Sequence, residues 1–99
     1  MRKKVAQPSL AKRLKEKRMK LDLIDQKLLS LLNQRVRIAL EIGKVKKKMG
    51  IKIYDPGREK EILQRLRLRL RSGNKDLLNE KDVEKIFRTI ISVCRESQR

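Results

Sequence analysis

The chain has 99 residues and carries 29 Lys and Arg against 12 Asp and Glu, a formal net charge of +17. The length allows one domain with a modest core, and the charge points to an anionic partner: a small molecule, a nucleic acid or a membrane surface. With no histidine and Cys94 as the single cysteine, His-based acid–base catalysis, Cys/His metal sites and an intrachain disulfide are excluded, and no metal or cofactor is expected.

The charged start from Met1 to Lys4 is not followed by an apolar run, so no signal peptide is expected. No apolar stretch is long enough to span a bilayer, and the expectation is a cytoplasmic protein. Residues 1–8 read as a disordered basic tail and residues 9–99 as a single helical domain. Pro8-Ser9 looks like a helix entry, with Ser9 as the candidate N-cap. From Ser9 to about Lys48 the pattern predicts one helix roughly 60 Å long. A strict 4-3 spacing runs through Leu10, Leu14, Lys17, Leu21, Ile24, Leu28, Leu31, Arg35, Ile38, Ile42, Val45 and Met49. All but Lys17 and Arg35 are apolar, which makes this a seam that packs against partner helices. Gly43 interrupts the helix where another backbone or a ligand could come close, and Gly50 reads as its stop.

Asp55-Pro56 is a helix start, a carboxylate cap followed by proline in the first turn. The second helix is predicted from Pro56 to about Arg71, burying Ile62, Leu63, Leu66 and Leu70. The Arg/Leu alternation over 65–71 could be read as a strand, but both residue types favour helix and no other strand exists to pair with it. Ser72-Gly73-Asn74 ends this helix, and a loop runs through Leu77-Leu78. Asn79 then caps a third helix with Glu80 and Asp82 in its first turn. Its apolar face is Val83, Ile86, Phe87, Ile90, Ile91 and Cys94, with Gln98 one turn further along. The fold class is therefore all-α, three helices per chain. Two short helices cannot cover the long seam, so a homodimer of paired long helices is expected.

A permanent cation inside an apolar seam is costly unless something negative meets it. Arg35 and Lys46 are eleven residues apart, which places them within about 20° on one helix face and about 16 Å apart along the axis. Together they can grip a small anion. Arg18 lies about 100° around the helix from Arg35, so only a second chain could bring it to that site. Arg58 and Glu59 sit in the first turn of the second helix, beside free backbone N–H groups. Each feature also has a plain reading. Arg35 could pair with a structural glutamate, Lys46 belongs to a lysine run typical of a solvated face, Cys94 reads as core and Gln98 as surface.

Taken in order, the chain resembles the all-helical (AroQ-class) chorismate mutases over nearly its whole length. The matching residues are Ile24-Asp25, Leu28-Leu29, Leu31-Leu32, Arg35, Ile42-Gly43-Lys44, Lys46, Tyr54-Asp55-Pro56, Arg58-Glu59, Ile86-Phe87, Ile90-Ile91 and Gln98. The resemblance implies an intertwined homodimer of three-helix subunits that converts chorismate to prephenate, a step of phenylalanine and tyrosine biosynthesis. It further implies that Arg18 reaches into the neighbouring subunit's site and that Arg35 grips a substrate carboxylate. Lys46 and Gln98 would stand at the ether oxygen, Asp55 and Arg58 would help hold the substrate, and Glu59 would meet its hydroxyl. Cys94 would be a further substrate contact, standing where many members carry serine, although its thiol is a weaker hydrogen-bond donor. Gln98 is followed by Arg99 alone, so this group is expected on a fraying helix end.

Isochorismate-pyruvate lyase, a sister activity on the same fold, uses much the same cation set. A basic helical nucleic-acid-binding protein is the reading from charge alone. Against the latter, the cations singled out fall at site-like spacings and no aromatic platform is present.

Overall fold

A computed structural model describes residues 8–72 and 77–99 of the chain. Three helices follow in order, α1 (Pro8–Met49), α2 (Pro56–Ser72) and α3 (Glu80–Ser97), with no strand among the described residues. The Arg/Leu alternation is thus helical. Of the tail expected over residues 1–8, Pro8 already belongs to α1, while residues 1–7 and the stop at Gly73-Asn74 lie outside the described residues. One correction concerns the entry to α1, which starts at Pro8, so Ser9 is inside the first turn and is not its cap. Proline suits that first position, since its fixed φ is helical and the N–H it lacks would have no intrahelical partner.

Local chemistry sets the other helix ends. Gly50 adopts φ 68°, a left-handed conformation that a β-carbon disfavours. Around it, Gly50 N–H donates to the Lys47 carbonyl and Ile51 N–H to the Lys46 carbonyl, both at 3.1 Å. This is the paired bonding of a Schellman turn, and it sends the chain back past the last turn of α1. Asp55 Oδ1 accepts from Arg58 N–H at 3.0 Å and caps α2. Asn79 and Asp82 form a reciprocal capping box at the start of α3.

The chain divides within α1 into two compact units, the first ending at Asn33 and the second spanning Gln34–Arg99. In the first unit every residue from Ser9 to Asn33 is exposed. In the second, α2 and α3 pack together. The ion pairs Glu59–Arg95 and Arg67–Glu84 link them, and the descending order of the α3 partners makes the two helices antiparallel. Among the described residues, the buried apolar side chains are Ala39, Leu63, Val83, Ile91 and Cys94. Ile86, expected on the core face of α3, is exposed. All ten apolar positions of the α1 seam remain between 45% and 65% exposed in the single chain. No helix among the described residues is long and apolar enough to cross a membrane.

Candidate active site

A cavity of about 320 Å³ opens in the second unit. Helix α1 supplies Arg35, Ile38, Ala39, Ile42 and Lys46, a single stripe at i, i+3/i+4, i+7 and i+11. The connection to α2 contributes Ile53 and Asp55, α2 contributes Arg58, Glu59 and Ile62, and α3 with its cap contributes Ile91, Arg95 and Gln98. Four cations against two carboxylates give the lining a formal charge of +2.

The polar groups differ in how they are held. Arg35 is half-buried and makes no ion pair with any carboxylate among the described residues. Lys46 Nζ donates to the Ile53 carbonyl at 2.6 Å. The Schellman turn at Gly50 brings that carbonyl back over the last turn of α1, so backbone geometry fixes the ammonium. An ammonium has three donors, and two of them stay available after this bond. Asp55 is committed to capping α2. Arg58 is exposed and reaches Glu61 at 2.7 Å. Glu59 Oε2 accepts from Arg95 Nη1 at 2.5 Å, and Oε1 has no hydrogen-bond partner among the described residues. The neighbouring Glu59 carboxylate raises the Arg95 pKa above its ordinary value.

Gln98 enters the cavity because of a glycine. A Cβ built on Gly43 would lie 3.0 Å from Gln98 Cβ, 3.1 Å from its Cγ and 3.3 Å from its Cα. The close approach anticipated at Gly43 is therefore made by the α3 C-cap. The Gln98 amide oxygen is buried without a hydrogen-bond partner, so the amide keeps unspent bonding capacity at the cavity wall.

Of the sequence candidates, Arg35, Lys46, Asp55, Arg58, Glu59 and Gln98 come together here. Cys94 does not. It is buried in the core and absent from the cavity lining. With 100° per residue, Cys94 and Arg95 fall on opposite flanks of the line from Ile91 to Gln98, and the cavity opens on the Arg95 flank. Arg18 is exposed on the first unit of the chain, beside Leu14, Met19 and Asp22. Sequence reasoning missed Arg95, whose guanidinium also stacks on Tyr54 with 5.0 Å from Cζ to the ring centroid. Its place one turn before Gln98 and one turn after Ile91 was the available signal. A second hollow of about 510 Å³ shares Glu59, Ile91 and Arg95 with this cavity. Two of its other cations, Arg67 and Arg88, are already engaged by Glu84, which makes it the poorer anion site.

Known proteins resemble the chain over most of its length. The chain is 38% identical over 82 residues to a chorismate mutase of Methanocaldococcus jannaschii, covering 83% of this chain and 80% of that protein. It is 40% identical over 85 residues to a bifunctional chorismate mutase/prephenate dehydratase of Aquifex aeolicus, covering 82% of this chain but only 22% of that longer protein. The crystal structure of the Helicobacter pylori chorismate mutase in complex with prephenate superposes with a TM-score of 0.74 at 31% identity, over 88% of this chain and 90% of that one. A family model for chorismate mutase type II matches residues 17–99, and the chain belongs to that family.

Proposed function

We propose that this chain is a chorismate mutase, catalysing the intramolecular Claisen rearrangement of chorismate to prephenate. The observation that carries this reading is Arg35, a half-buried guanidinium without a carboxylate partner among the described residues, in a cavity whose lining has a formal charge of +2. A dianionic substrate matches that charge. The reaction needs no nucleophile, metal or proton transfer, so a chain without histidine can perform it. The task is to hold a flexible dianion in a compact chair-like shape.

Each residue then has a role that its surroundings support. Arg35 grips one carboxylate through its planar fork. As the C–O bond breaks, negative charge grows on the ether oxygen. Lys46, anchored by the Ile53 carbonyl with two donors left, meets that charge without reorganising. The Gln98 amide, turned by half a rotation so that its NH2 faces the cavity, is the second donor there. These contacts strengthen toward the transition state, where they lower the barrier. Glu59, held by one oxygen, offers the other to the substrate hydroxyl. Asp55 and Arg58 close the site at the α2 N-terminus, where the helix dipole favours an anion. Cys94 has no substrate contact in this scheme, since it lies in the core.

The same proposal assigns a second copy of the chain to the exposed seam of α1. Two such seams pack against each other, and the partner copy contributes its Arg18 to the cavity. Sedimentation at micromolar concentration should give twice the mass of one chain; a one-chain mass would remove the dimer and Arg18's role with it. The activity itself is tested by loss of chorismate absorbance with purified protein, isochorismate serving as the comparison substrate. Turnover of chorismate that disappears in Arg35→Ala is expected. Inert chorismate, or turnover unaffected by Arg35→Ala, would overturn the assignment.

A further inference from the structure

Arg95 lines the cavity, yet its surroundings differ from those of the other cations there. Its Nη1 lies 2.5 Å from Glu59 Oε2, and the two side chains are only 23% and 25% exposed, less than in the other ion pairs among the described residues that join α2 to α3. The partners are 36 positions apart in sequence, so the contact depends on the tertiary fold. The Arg95 Cζ stands over the Tyr54 ring, 5.0 Å from its centroid, a cation–π contact made while Nη1 meets the carboxylate.

We infer that Arg95 is a positioning residue for Glu59: held over Tyr54, it fixes Oε2 of the carboxylate so that Oε1 is the oxygen left for the substrate. This rests on the reading that Glu59 meets the substrate hydroxyl. A glutamate carboxylate otherwise turns broadly about its last torsion, and a charge-assisted bond to one oxygen stops that rotation. The geometry also sets Arg95 apart from the substrate-gripping cations. Its charge is matched by Glu59 and it stands over Tyr54, whereas Arg35 has no carboxylate partner among the described residues.

The test is a double-mutant cycle in the full chain, with kcat and KM for chorismate measured separately. Arg95→Met should lower kcat about tenfold with KM nearly unchanged, the loss expected for one charge-assisted contact acting on a group in the transition state. Arg95→Lys, which keeps the charge but lacks the stacked fork, should recover only part of that loss. In a Glu59→Gln background Arg95→Met should have almost no further effect, because the group it positions is already changed. Tyr54→Leu provides the same cycle without removing a charge, and keeps the inference testable if Arg95→Met fails to fold. It should give a smaller kcat loss that also vanishes with Glu59→Gln. Additive losses in both cycles, or a rise in KM with unchanged kcat, would overturn the positioning role while leaving Glu59 in place. Full activity of Glu59→Gln alone would instead overturn the reading of Glu59, and this inference with it.

Discussion

Replacing Gly43 by alanine should separate activity from stability, because the two respond to different consequences of one methyl group. The new Cβ would stand 3.0 Å from Gln98 Cβ and 3.3 Å from its Cα. Unbonded carbons settle at about 3.5–4.0 Å, so the α3 end must retreat by about half an ångström. A rotamer change cannot relieve the contact, since a backbone atom is among those crowded. The displaced residue is the C-cap, tied to the helix by N–H bonds to the Arg95 and Glu96 carbonyls, and the last turn can shift without unfolding α3. Meanwhile α1 exchanges a glycine for the best helix former, a gain of about 1 kcal/mol. That corresponds to a Tm higher by about 4–8 °C for a domain of this size, less whatever the displacement costs. A misplacement of about 1 Å can cost about 10²-fold in rate, so half of that predicts about a tenfold fall in kcat. Chorismate turnover and thermal melts followed by circular dichroism measure the two effects. In a Gln98→Ala background the further loss of kcat should nearly vanish, because the displaced amide is already gone. Wild-type kcat in Gly43→Ala would refute the reasoning, as would a fall in Tm large enough to account for the lost activity.

Lys46→Ala should lower kcat by about 10²-fold or more, with a smaller effect on KM, as for loss of a single oxyanion donor; unchanged kcat removes Lys46 from the mechanism. With a formal charge of +17, kcat/KM for a dianion should fall as salt is added wherever encounter limits the rate, and a salt-independent value would exclude steering. Hydrogen bonds from Arg67 and then Arg88 hold the Glu84 carboxyl below its ordinary pKa of 4.5. A depressed folded-state pKa stabilises the fold fully above the ordinary value, and that contribution is lost as pH falls through the folded one. Melts should therefore show Glu84→Gln less stable than the parent at neutral pH, with the difference closing below about pH 4.5; a gap that persists in acid would mean that the carboxylate charge is not the cause.

Much of this site is legible in the sequence because its signals are local. Asp55-Pro56, the Asn79–Asp82 box and Gly50 are each a few residues whose chemistry closes a helix end without help from the rest of the chain. Arg35 and Lys46 share a face by helical arithmetic alone. Ser9 failed as a cap because Pro8 can itself occupy the first helical position, which moves the start by one residue. Ile86 fits the apolar period of α3, but period alone does not say how wide a stripe its neighbour covers, and α2 leaves that side chain exposed. The Glu59–Arg95 pair was out of reach for a different reason. It joins two helices, and nothing near either residue in sequence specifies the partner.

The functional groups sit mostly where helices end, and this explains how so small a chain can hold them in place. Lys46 lies in the last turn of α1, Asp55, Arg58 and Glu59 at the start of α2, and Gln98 at the close of α3. Helix ends leave backbone donors and acceptors unpaired, which gives a polar site fixed dipoles without aromatic walls or a large core. Ends also fray, and a site built on them loses definition unless each is tied to something firm. In this chain the ties are visible: the Ile53 carbonyl on Lys46, the Asp55 cap beneath Arg58, Arg95 with Tyr54 behind Glu59, and the bare surface of Gly43 against Gln98. Only Arg35 stands mid-helix, where the backbone already fixes its Cα. It is also the one cation of the cavity with no protein acceptor, carboxylate or carbonyl, among the described residues. The rigid element thus carries the unpaired charge, and the anchored ends carry the groups that must meet developing charge at a defined distance.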